Sequence, residues 1–326
     1  MVITLEKIKT LELFGGVGAP RKALLNLGIP HKAIDYVEID EKRVRVYNAM
    51  YAEHNKYQPE SVVGYNLKPD ILIHGSPCQD FSRAGERYGG SKGSCTRSSL
   101  LHETVKIIKN MGMWRPRVVI WENVKGVLDR DMISAFNEYI QAMDELGYRT
   151  TYDVLNAMDF GVPQRRERVF AVSKLSGKPF NFAGVHARGK KAPHISEFIS
   201  DAFAEKHVIK APSTLDKIPE LNPDGRKRKG YNRMLDVIED SCWTITERQD
   251  RCPNAGIIKL NEGRYRYLTE MEVWRLMGFD DEDYKRAEKE FPTRKGYRNA
   301  TLYAMAGNSI VVPVLEAIFV ELLNVE

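Results

Sequence analysis

Short apolar runs alternate with amphipathic stretches through the first 172 residues of the chain. Runs typical of buried strands lie at residues 8–14, 33–39, 70–74, 118–121 and 168–172. Helical spacing of apolar positions covers residues 21–27, 42–51, 99–110 and 133–146. Because strands that alternate with helices of this length form parallel sheets, the pattern predicts an α/β fold with a Rossmann-like, doubly wound, mostly parallel sheet.

The pattern breaks down in the second half of the chain. Residues 173–262 carry Gly, Pro, Lys and Arg in irregular order, including the run RKRK at 226–229. Helical spacing is present around 195–204 and over 268–277, and residues 300–326 are again apolar and acidic. These features indicate a sheet domain, an irregular basic insert and a tail that returns to the sheet.

The positive charge of the chain lies in that insert. The 326 residues carry a formal net charge of +5. Residues 1–172 hold 24 basic and 21 acidic side chains, residues 173–299 hold 25 and 20, and the last 27 residues hold none and 3. A mildly basic chain permits a polyanionic partner but does not require one.

Composition argues against membrane, secreted and metal-binding classes. No apolar run approaches the ~18–20 residues of a membrane span, and the apolar stretch 310–323 is interrupted by Pro313 and two glutamates. The N-terminus carries charges where a signal peptide has an apolar run. The four cysteines form no CxxC pair and the seven histidines show no ligand spacing. We therefore expect a cytoplasmic, reduced protein with no metal site and no membrane partner.

The first motif is LELFGGVGAP, at residues 11–20. A strand that ends in clustered glycines before a helix presents a nucleotide-like ligand at the edge of a Rossmann-type sheet. Glu38 follows Gly18 by twenty residues and ends the next strand, where it could accept hydrogen bonds from ribose hydroxyls. The spacing GGxG, rather than GxGxxG, favours a cofactor without a pyrophosphate, such as S-adenosylmethionine. A tight structural turn is the alternative.

The second motif is GSPCQDFS, at residues 75–82, directly after an apolar run. The end of a parallel strand is where open α/β sheets place their chemistry. Cys78 in this position could be a nucleophilic thiolate if its pKa is lowered. The alternative is a buried, inert cysteine, and we keep that interpretation for Cys95, Cys242 and Cys252.

The third motif, WENV, places Glu122 at the end of another strand, where a carboxylate can hydrogen-bond or protonate a substrate. A helix N-cap or a solvated acid is the alternative for Glu122. In the fourth motif, QRRERVF, the alternate spacing predicts Gln164, Arg166 and Arg168 on one face of a strand, suited to a base edge or a phosphate. Three solvated surface arginines are the alternative there.

Together and in this order, these segments resemble the cytosine-C5 DNA methyltransferase family. The resemblance also includes RYLTEMEVWRLMGF and GNSIVVPV, and it covers nearly all of residues 8–175 and 262–315. It implies a catalytic, S-adenosylmethionine-binding domain of residues 1–172 plus 300–326 and a smaller target-recognition domain of residues 173–299. Residues 242–257 resemble the end of such a recognition region.

The family mechanism implies a role for each matching residue. Cys78 adds to C6 of a cytosine that has left the helix stack, Glu122 bonds its N3–N4 edge, and Arg168 with Arg166 holds its O2. The expected cofactor-binding residues are Phe14, Gly16, Gly18, Glu38, Pro77, Asn308 and Ser309. The expected DNA-binding residues are Arg97, Gln164, Arg226, Lys227, Arg228 and Lys229.

The sequence departs from the family pattern at two positions. Glu12 stands where the family usually has aspartate, one methylene shorter, and should still bond the methionine amino group. Gly64 stands where an acidic residue often contacts the adenine, so the sequence does not indicate how adenine is recognised.

Double-stranded DNA is the expected partner of a monomeric enzyme, with a cognate restriction endonuclease as a further candidate partner. The nearest alternative is a transfer-RNA cytosine methyltransferase, because Cys242-Trp243-Thr244 resembles a triplet of those enzymes. An inactive DNA-binding relative and a nicotinamide enzyme with a redox cysteine are further alternatives. The complete set of nucleophile, acid and arginines argues against an inactive relative. The GGxG spacing argues against a nicotinamide enzyme.

Overall fold

The computed structural model describes residues 7–52, 56–63, 67–76, 100–222 and 234–324. The chain divides into a first unit (1–156, 167–189 and 312–326) and a second unit (157–166 and 190–311). These boundaries differ from those expected at 172/173 and 299/300. At the first boundary, a sheet strand continues to Lys174 and a helix over Phe182–Ala187 belongs with the first unit. At the second boundary, a helix over Ala300–Gly307 belongs with the second unit.

A six-stranded sheet forms the centre of the first unit. Its strands are β1 (Ile8–Leu13), β2 (His31–Val37), β3 (Ile71–His74), β4 (Val118–Val124), β5 (Arg149–Asn156) and, after the short β6 (Gln164–Arg165) of the second unit, β7 (Glu167–Lys174). The spatial order is β2-β1-β3-β4-β7-β5. The first four strands of this order are parallel, and β7 is antiparallel to both of its neighbours. The predicted mostly parallel α/β sheet is confirmed.

Helices follow the strands in the expected alternation. The first unit contains α1 (Ala19–Asn26), α2 (Glu41–Tyr51), α3 (Leu100–Asn110), α4 (Ile133–Glu145) and α5 (Phe182–Ala187). The second unit contains α6 (Pro212–Leu215), α7 (Glu270–Arg275), α8 (Asp281–Glu290) and α9 (Ala300–Gly307). The last helix, α10 (Val312–Leu323), belongs to the first unit again. The Asp40 carboxylate begins α2 by accepting hydrogen bonds from the backbone N–H groups of Lys42 and Arg43. Asn26 at the end of α1 donates to Glu316 of α10 at 2.7 Å, which ties the C-terminal helix to this unit.

The core of the first unit lies where α3 and α4 pack against the strands. Trp121 of β4 is fully buried and lies against Phe136 and Tyr139 of α4, with ring centroids 5.6 and 4.7 Å away. Because the central strands are buried apolar runs, their carboxyl ends are held rigidly beside one another. Polar residues that follow these strands are therefore brought to one edge of the sheet.

The second unit has little regular structure among its described residues. The strands β8 (Cys242–Trp243), β9 (Ile258–Lys259) and β10 (Tyr265–Arg266) form two small sheets, β6 with β8 and β9 with β10. A buried ion pair joins Arg266 to Glu272, at 2.8 Å, and a capping box between Thr269 and Glu272 begins α7. The expected role of this insert as a target-recognition domain stays a prediction.

The residues from 300 to 323 are apolar enough, with a mean hydropathy of 1.7, to meet the length and composition criteria for a membrane span. The stretch is broken between Gly307 and Val312, and 56% of the tested window is buried inside the protein. Buried core helices meet the same criteria, so the stretch is weak evidence for a span. The expectations of no membrane partner and of a cytoplasmic location stay predictions.

Candidate active site

The glycine turn after β1 is held by side chains of β2 and of the segment that follows it. Tyr36 donates its hydroxyl to the carbonyl of Gly16 at 2.6 Å, and the N–H of Gly16 donates to Glu38 at 3.1 Å. Gly16 has φ 56° and Phe14 has φ 55°, so both lie in the left-handed region. A Cβ on Gly15 would lie 2.5 Å from the Tyr36 ring. The glycines are therefore needed for this close approach, and the turn places Gly16 beside Glu38.

Glu38 is 4% exposed, and both of its carboxylate oxygens accept hydrogen bonds from the protein. One accepts from Gly16 and the other from the N–H of Asp40, each at 3.1 Å, and Arg43 lies 3.4 Å away. A carboxylate has about four acceptor sites, and three donors already use it, so about one site remains for a hydroxyl donor. Ile39, which sequence reasoning missed, leaves 72% of its side chain exposed directly after Glu38.

Glu12 is buried beneath this turn with one oxygen unpaired. The Tyr47 hydroxyl donates to Oε1 at 3.1 Å, whereas Oε2 has no hydrogen-bond partner among the described residues. Burial raises the pKa of Glu12 to about 7, against smaller lowering effects of the Arg21 charge and the Tyr47 hydrogen bond. An unpaired buried carboxylate oxygen is costly, and a cationic group would satisfy it.

Glu122 and Arg168 meet at the carboxyl end of β4. The register that pairs Val124 with Arg168 across β4 and β7 puts Glu122 and Arg168 on the same face of the sheet. Arg168 Nε lies 3.2 Å from Glu122 Oε1, and the two side chains are 17% and 13% exposed. The predicted acid and one of the predicted arginines thus form an ion pair with restricted access to solvent.

The chain that follows β3 passes beside this ion pair. A Cβ on Gly75 would lie 3.5 Å from Glu122 Oε2. Ser76, which is 3% exposed, accepts from Trp121 Nε1 at its hydroxyl, at 3.0 Å, and from Asn123 Nδ2 at its carbonyl, at 3.4 Å. The two residues that flank Glu122 therefore fix the chain immediately before residue 77. The predicted site residues Pro77, Cys78 and Arg97 lie outside the described residues, as do Arg226, Lys227, Arg228 and Lys229.

The predicted single strand through Gln164, Arg166 and Arg168 is wrong. A hydrogen bond from the N–H of Arg166 to the carbonyl of Gln164, at 2.9 Å, turns the chain, so that β6 ends at Arg165 and β7 begins at Glu167. Gln164 and Arg166 belong to the second unit and Arg168 to the first. The strand spacing of the three residues therefore does not put them on one face.

Gln164 and Arg166 are bound within the protein rather than open to a substrate. Gln164 is 0% exposed, donates to the carbonyl of Leu276 at 2.7 Å and accepts from the N–H of Ile245 at 3.0 Å. Arg166 is 4% exposed and donates to the backbone carbonyls of Ile245, Gly307 and Ser309. We therefore replace the predicted DNA contact of Gln164, and the predicted base contact of Arg166, by a structural role in the second unit.

Asn308 and Ser309 follow α9 in the second unit. Ser309 is 6% exposed and its hydroxyl donates to the carbonyl of Ile310, whereas the exposed Asn308 donates to Glu247 at 3.4 Å. Their predicted contact with the cofactor stays a prediction. Of the cysteines expected to be inert, Cys242 is buried and its pKa is raised to about 12 by burial, whereas Cys252 is exposed, so the expectation of burial is wrong for Cys252.

Replacing Gly307 by alanine is expected to destabilise the second unit. A Cβ there would lie 2.3 Å from the backbone carbonyl carbon of Thr246, which cannot move without displacing the chain that Arg166 binds. We expect a loss of about 2 kcal/mol or more in the free energy of unfolding, measured by chemical denaturation. Helix propensity alone favours alanine by about 1 kcal/mol, so a stabilised variant would contradict the close contact.

Known proteins resemble this chain over nearly its whole length. The family model described as C-5 cytosine-specific DNA methylase matches residues 8–324. The type II methyltransferase M2.ScrFI of Lactococcus lactis subsp. cremoris is 29% identical, covering 97% of this chain and 99% of its own. The orphan methyltransferase M.SPRI of Bacillus phage SPR is 26% identical and covers 98% of each. The structure of S. pombe Dnmt2 methyltransferase has a similar fold, with a TM-score of 0.77 at 19% identity, covering 98% of this chain and all of that one.

Proposed function

Since this chain belongs to the C-5 cytosine-specific DNA methylase family and is a DNA cytosine methyltransferase, we propose that it methylates C5 of a cytosine rotated out of duplex DNA, through a covalent adduct of Cys78. The observation that carries this proposal is the ion pair of Glu122 with Arg168 beside Gly75 and Ser76, and Ser76 precedes Cys78 by two residues in the sequence. It supplies an acceptor and donors for a cytosine edge.

Each step of the proposed reaction assigns a task to a side chain. The Cys78 thiolate forms a bond to C6, while Glu122 holds the N3–N4 edge and Arg168 donates to O2, so that negative charge at C5 is stabilised. With S-adenosylmethionine bound, C5 would take its methyl group as the bond between the methyl carbon and sulfur breaks, and S-adenosylhomocysteine would be the leaving product. A base then removes the C5 proton, the C5–C6 double bond re-forms, and Cys78 leaves as thiolate. A cytosine inside the duplex exposes neither face of its ring, so base rotation comes first.

S-adenosylmethionine fits the residues around the glycine turn. The unpaired Oε2 of Glu12 is suited to the ammonium group of its methionine part, and Glu38 beside Gly16 is suited to a ribose hydroxyl. The exposed side chain of Ile39 and the Phe14 position supply apolar surface for its adenine. When bound, the cofactor supplies an electrophilic methyl group. Gly18, Pro77, Asn308 and Ser309 complete the cofactor-binding residues that we propose.

We expect the affinity for S-adenosylmethionine to fall as the pH drops below about 7. Only ionised Glu12 attracts the ammonium group, and because the pKa of Glu12 in the free protein is about 7, protonation competes with binding at lower pH. The dissociation constant should rise by up to about tenfold per pH unit on that side. Loss of affinity above about pH 8 would come from the amino group of the cofactor. Calorimetric titration across this range measures the loss of affinity at both low and high pH.

Glu12→Gln is the control for this prediction. This variant should bind the cofactor more weakly at pH 8. Its affinity should no longer fall as the pH drops below about 7. Ionised Glu12 opposes folding, because its folded-state pKa exceeds its unfolded value and stability is lost as pH rises from about 4.5 to about 7. The variant should therefore unfold at an equal or higher temperature than wild type at pH 8. If the affinity of the variant for the cofactor still falls below about pH 7, the role of Glu12 is contradicted.

Labelled methyl transfer tests the proposed substrate. Purified protein with radiolabelled S-adenosylmethionine should transfer the label to duplex DNA and not to transfer RNA, and bisulfite sequencing of DNA from expressing cells should identify the recognition sequence. Transfer to RNA alone would favour the transfer-RNA enzyme, to which Cys242-Trp243-Thr244 gives some support. A monomeric state and a cognate endonuclease remain part of the proposal.

A further inference from the structure

We propose that Arg21 and Tyr47 are positioning residues for the cofactor, which favour the ionised form of Glu12 and leave one of its oxygens free for the ammonium group of S-adenosylmethionine. The inference rests on the proposed function and concerns how that enzyme keeps a negative charge in its cofactor site. Arg21, Tyr47 and Glu12 all belong to the first unit, and neither Arg21 nor Tyr47 is among the cofactor contacts expected from the sequence motifs.

Glu12 lies directly beneath the glycine turn. It is 1% exposed, and a Cβ on Gly15 would lie 3.4 Å from the Glu12 Cβ. The register of the sheet pairs Glu12 with Tyr36 of β2 and with Ile73 of β3. Neither of these two neighbours carries a cation, so a positive charge for Glu12 has to come from the helices that cover this part of the sheet.

Tyr47 of α2 is the hydrogen-bond donor to Glu12. It is 0% exposed, and its hydroxyl donates to Glu12 Oε1 at 3.1 Å. Its ring stacks on that of Tyr36, with centroids 3.6 Å apart, and a Cβ on Gly18 would lie 2.6 Å from the ring. This packing holds the hydroxyl at Oε1, whereas Oε2 has no hydrogen-bond partner among the described residues.

Arg21 of α1 brings a positive charge to this hydrogen bond. Its Nη1 donates to the Tyr47 hydroxyl and its Nη2 to the carbonyl of Tyr51, each at 3.3 Å. Its guanidinium carbon lies 5.6 Å from the centre of the Tyr47 ring and 5.2 Å from that of Tyr51. The Tyr47 hydroxyl thus accepts from Arg21 while it donates to Glu12, and hydrogen bonds in such a series strengthen one another.

The groups around Glu12 determine how readily it ionises. Burial raises the pKa of Glu12 to about 7, while the Arg21 charge and the Tyr47 hydrogen bond lower it. Tyr36 and Tyr57 also face this carboxyl, and because burial raises the pKa of each of them, both stay neutral. Arg21 and Tyr47 are therefore the groups that offset the effect of burial on Glu12.

This arrangement serves a ligand better than it serves folding. An ionised carboxylate with an unpaired oxygen destabilises the folded state, because burial removes the water that the oxygen would otherwise bind. Side chains that favour this ionised form are useful where a cation arrives from outside the protein. The ammonium group of the cofactor is such a cation, and neutral Glu12 would not attract it.

Calorimetric titration with S-adenosylmethionine at several pH values tests the two residues. Arg21→Met removes the charge, so the pH below which affinity falls should rise by about one unit, and the dissociation constant at about pH 7 should be about fivefold higher than that of wild type. Tyr47→Phe should shift the same pH upward by less. Both variants should release more protons on binding at about pH 7, measured from the heats in buffers of different ionisation enthalpy. Arg21→Lys should restore most of the wild-type pH dependence.

Two neighbouring residues provide matched controls. Tyr36→Phe removes a hydroxyl from the ring that stacks on Tyr47, but this hydroxyl donates to Gly16 rather than to Glu12. This variant should bind the cofactor more weakly without a change in pH dependence. Arg45→Met removes an exposed cation from α2 and should change neither the affinity nor its pH dependence.

The pH dependence separates this inference from a merely structural role. Folded Arg21→Met and Tyr47→Phe proteins whose affinity falls at the same pH as that of wild type would overturn the inference, even with weaker binding at every pH. Methylation of DNA by the wild-type protein would then leave the proposed function intact, whereas a wild-type protein that does not bind S-adenosylmethionine would remove both. NMR titration of the ligand-free wild type with labelled glutamate, assigned with Glu12→Gln, needs neither variant. A Glu12 carboxyl that titrates there like an exposed glutamate would also overturn the inference.

Discussion

Replacing Cys78 by serine is expected to abolish methyl transfer, with a loss of at least about 10³-fold in rate. Cytosine C5 is a weak nucleophile until a bond forms at C6, and a serine hydroxyl at neutral pH has almost no alkoxide to form that bond. The cofactor and DNA affinities should stay within about threefold of wild type, because serine is nearly isosteric with cysteine. Single-turnover transfer of a labelled methyl group to duplex DNA measures the rate.

Cys252→Ser is the matched control for Cys78→Ser. Cys252 is exposed in the second unit and has no role in the proposed chemistry, so this variant should retain full activity. A Cys78→Ser enzyme with wild-type turnover would contradict the covalent mechanism. Loss of activity in both variants, with intact folding, would mean that the assay reports a general sensitivity to cysteine replacement.

Glu122→Gln is expected to lower the rate of methyl transfer by about 10²–10⁴-fold. The amide keeps the size of the side chain but cannot pass a proton to N3 to neutralise the negative charge that develops on the ring, and it removes the ion pair with Arg168 at 3.2 Å. The chemical step should suffer more than DNA affinity, because this interaction strengthens as charge develops on the ring. Burst and single-turnover kinetics separate the two.

Glu167→Gln provides a control within the same pair of strands. Glu167 forms an ion pair with Lys125 at 3.0 Å, but both side chains are about half exposed, and neither belongs to the proposed site. Its loss should change the rate by less than about twofold. Equal effects of the two substitutions would show that Glu122 acts through sheet stability, and an unchanged rate in Glu122→Gln would remove it from the mechanism.

Much of the first unit could be predicted because its central strands are continuous apolar runs. β1, β3 and β4 each follow directly from a run of buried residues in the sequence. β5 was not predicted, because RTTYDVLN is mainly polar and only Leu155 in it is fully buried. It lies at the edge of the sheet, where pairing with β7 rather than burial stabilises the strand.

In the candidate site, likewise, some residues could be placed from the sequence and others could not. Glu12 and Glu38 lie near the ends of predicted strands, Glu122 directly follows one and Arg168 begins one, so the sequence pattern places all four at the same edge of the sheet. The burial of Arg166 could not be predicted, because its carbonyl partners Ile245 and Ser309 lie 79 and 143 residues away in the sequence. The spacing of neighbouring residues contains no information about such distant acceptors. In the sequence alone, Arg166 therefore resembles a solvated or a substrate-binding arginine.

Covalent trapping tests the central claim most directly. A long duplex in which every cytosine is replaced by 5-fluorocytosine needs no knowledge of the recognition sequence. After methyl transfer the fluorine on C5 cannot be eliminated as a proton is, so the bond between Cys78 and C6 should persist. We predict a denaturant-resistant complex that forms only with S-adenosylmethionine, and peptide mass spectrometry that places the attached nucleotide on Cys78. No complex from an enzyme that methylates unmodified duplex DNA, or attachment at another residue, would contradict this account.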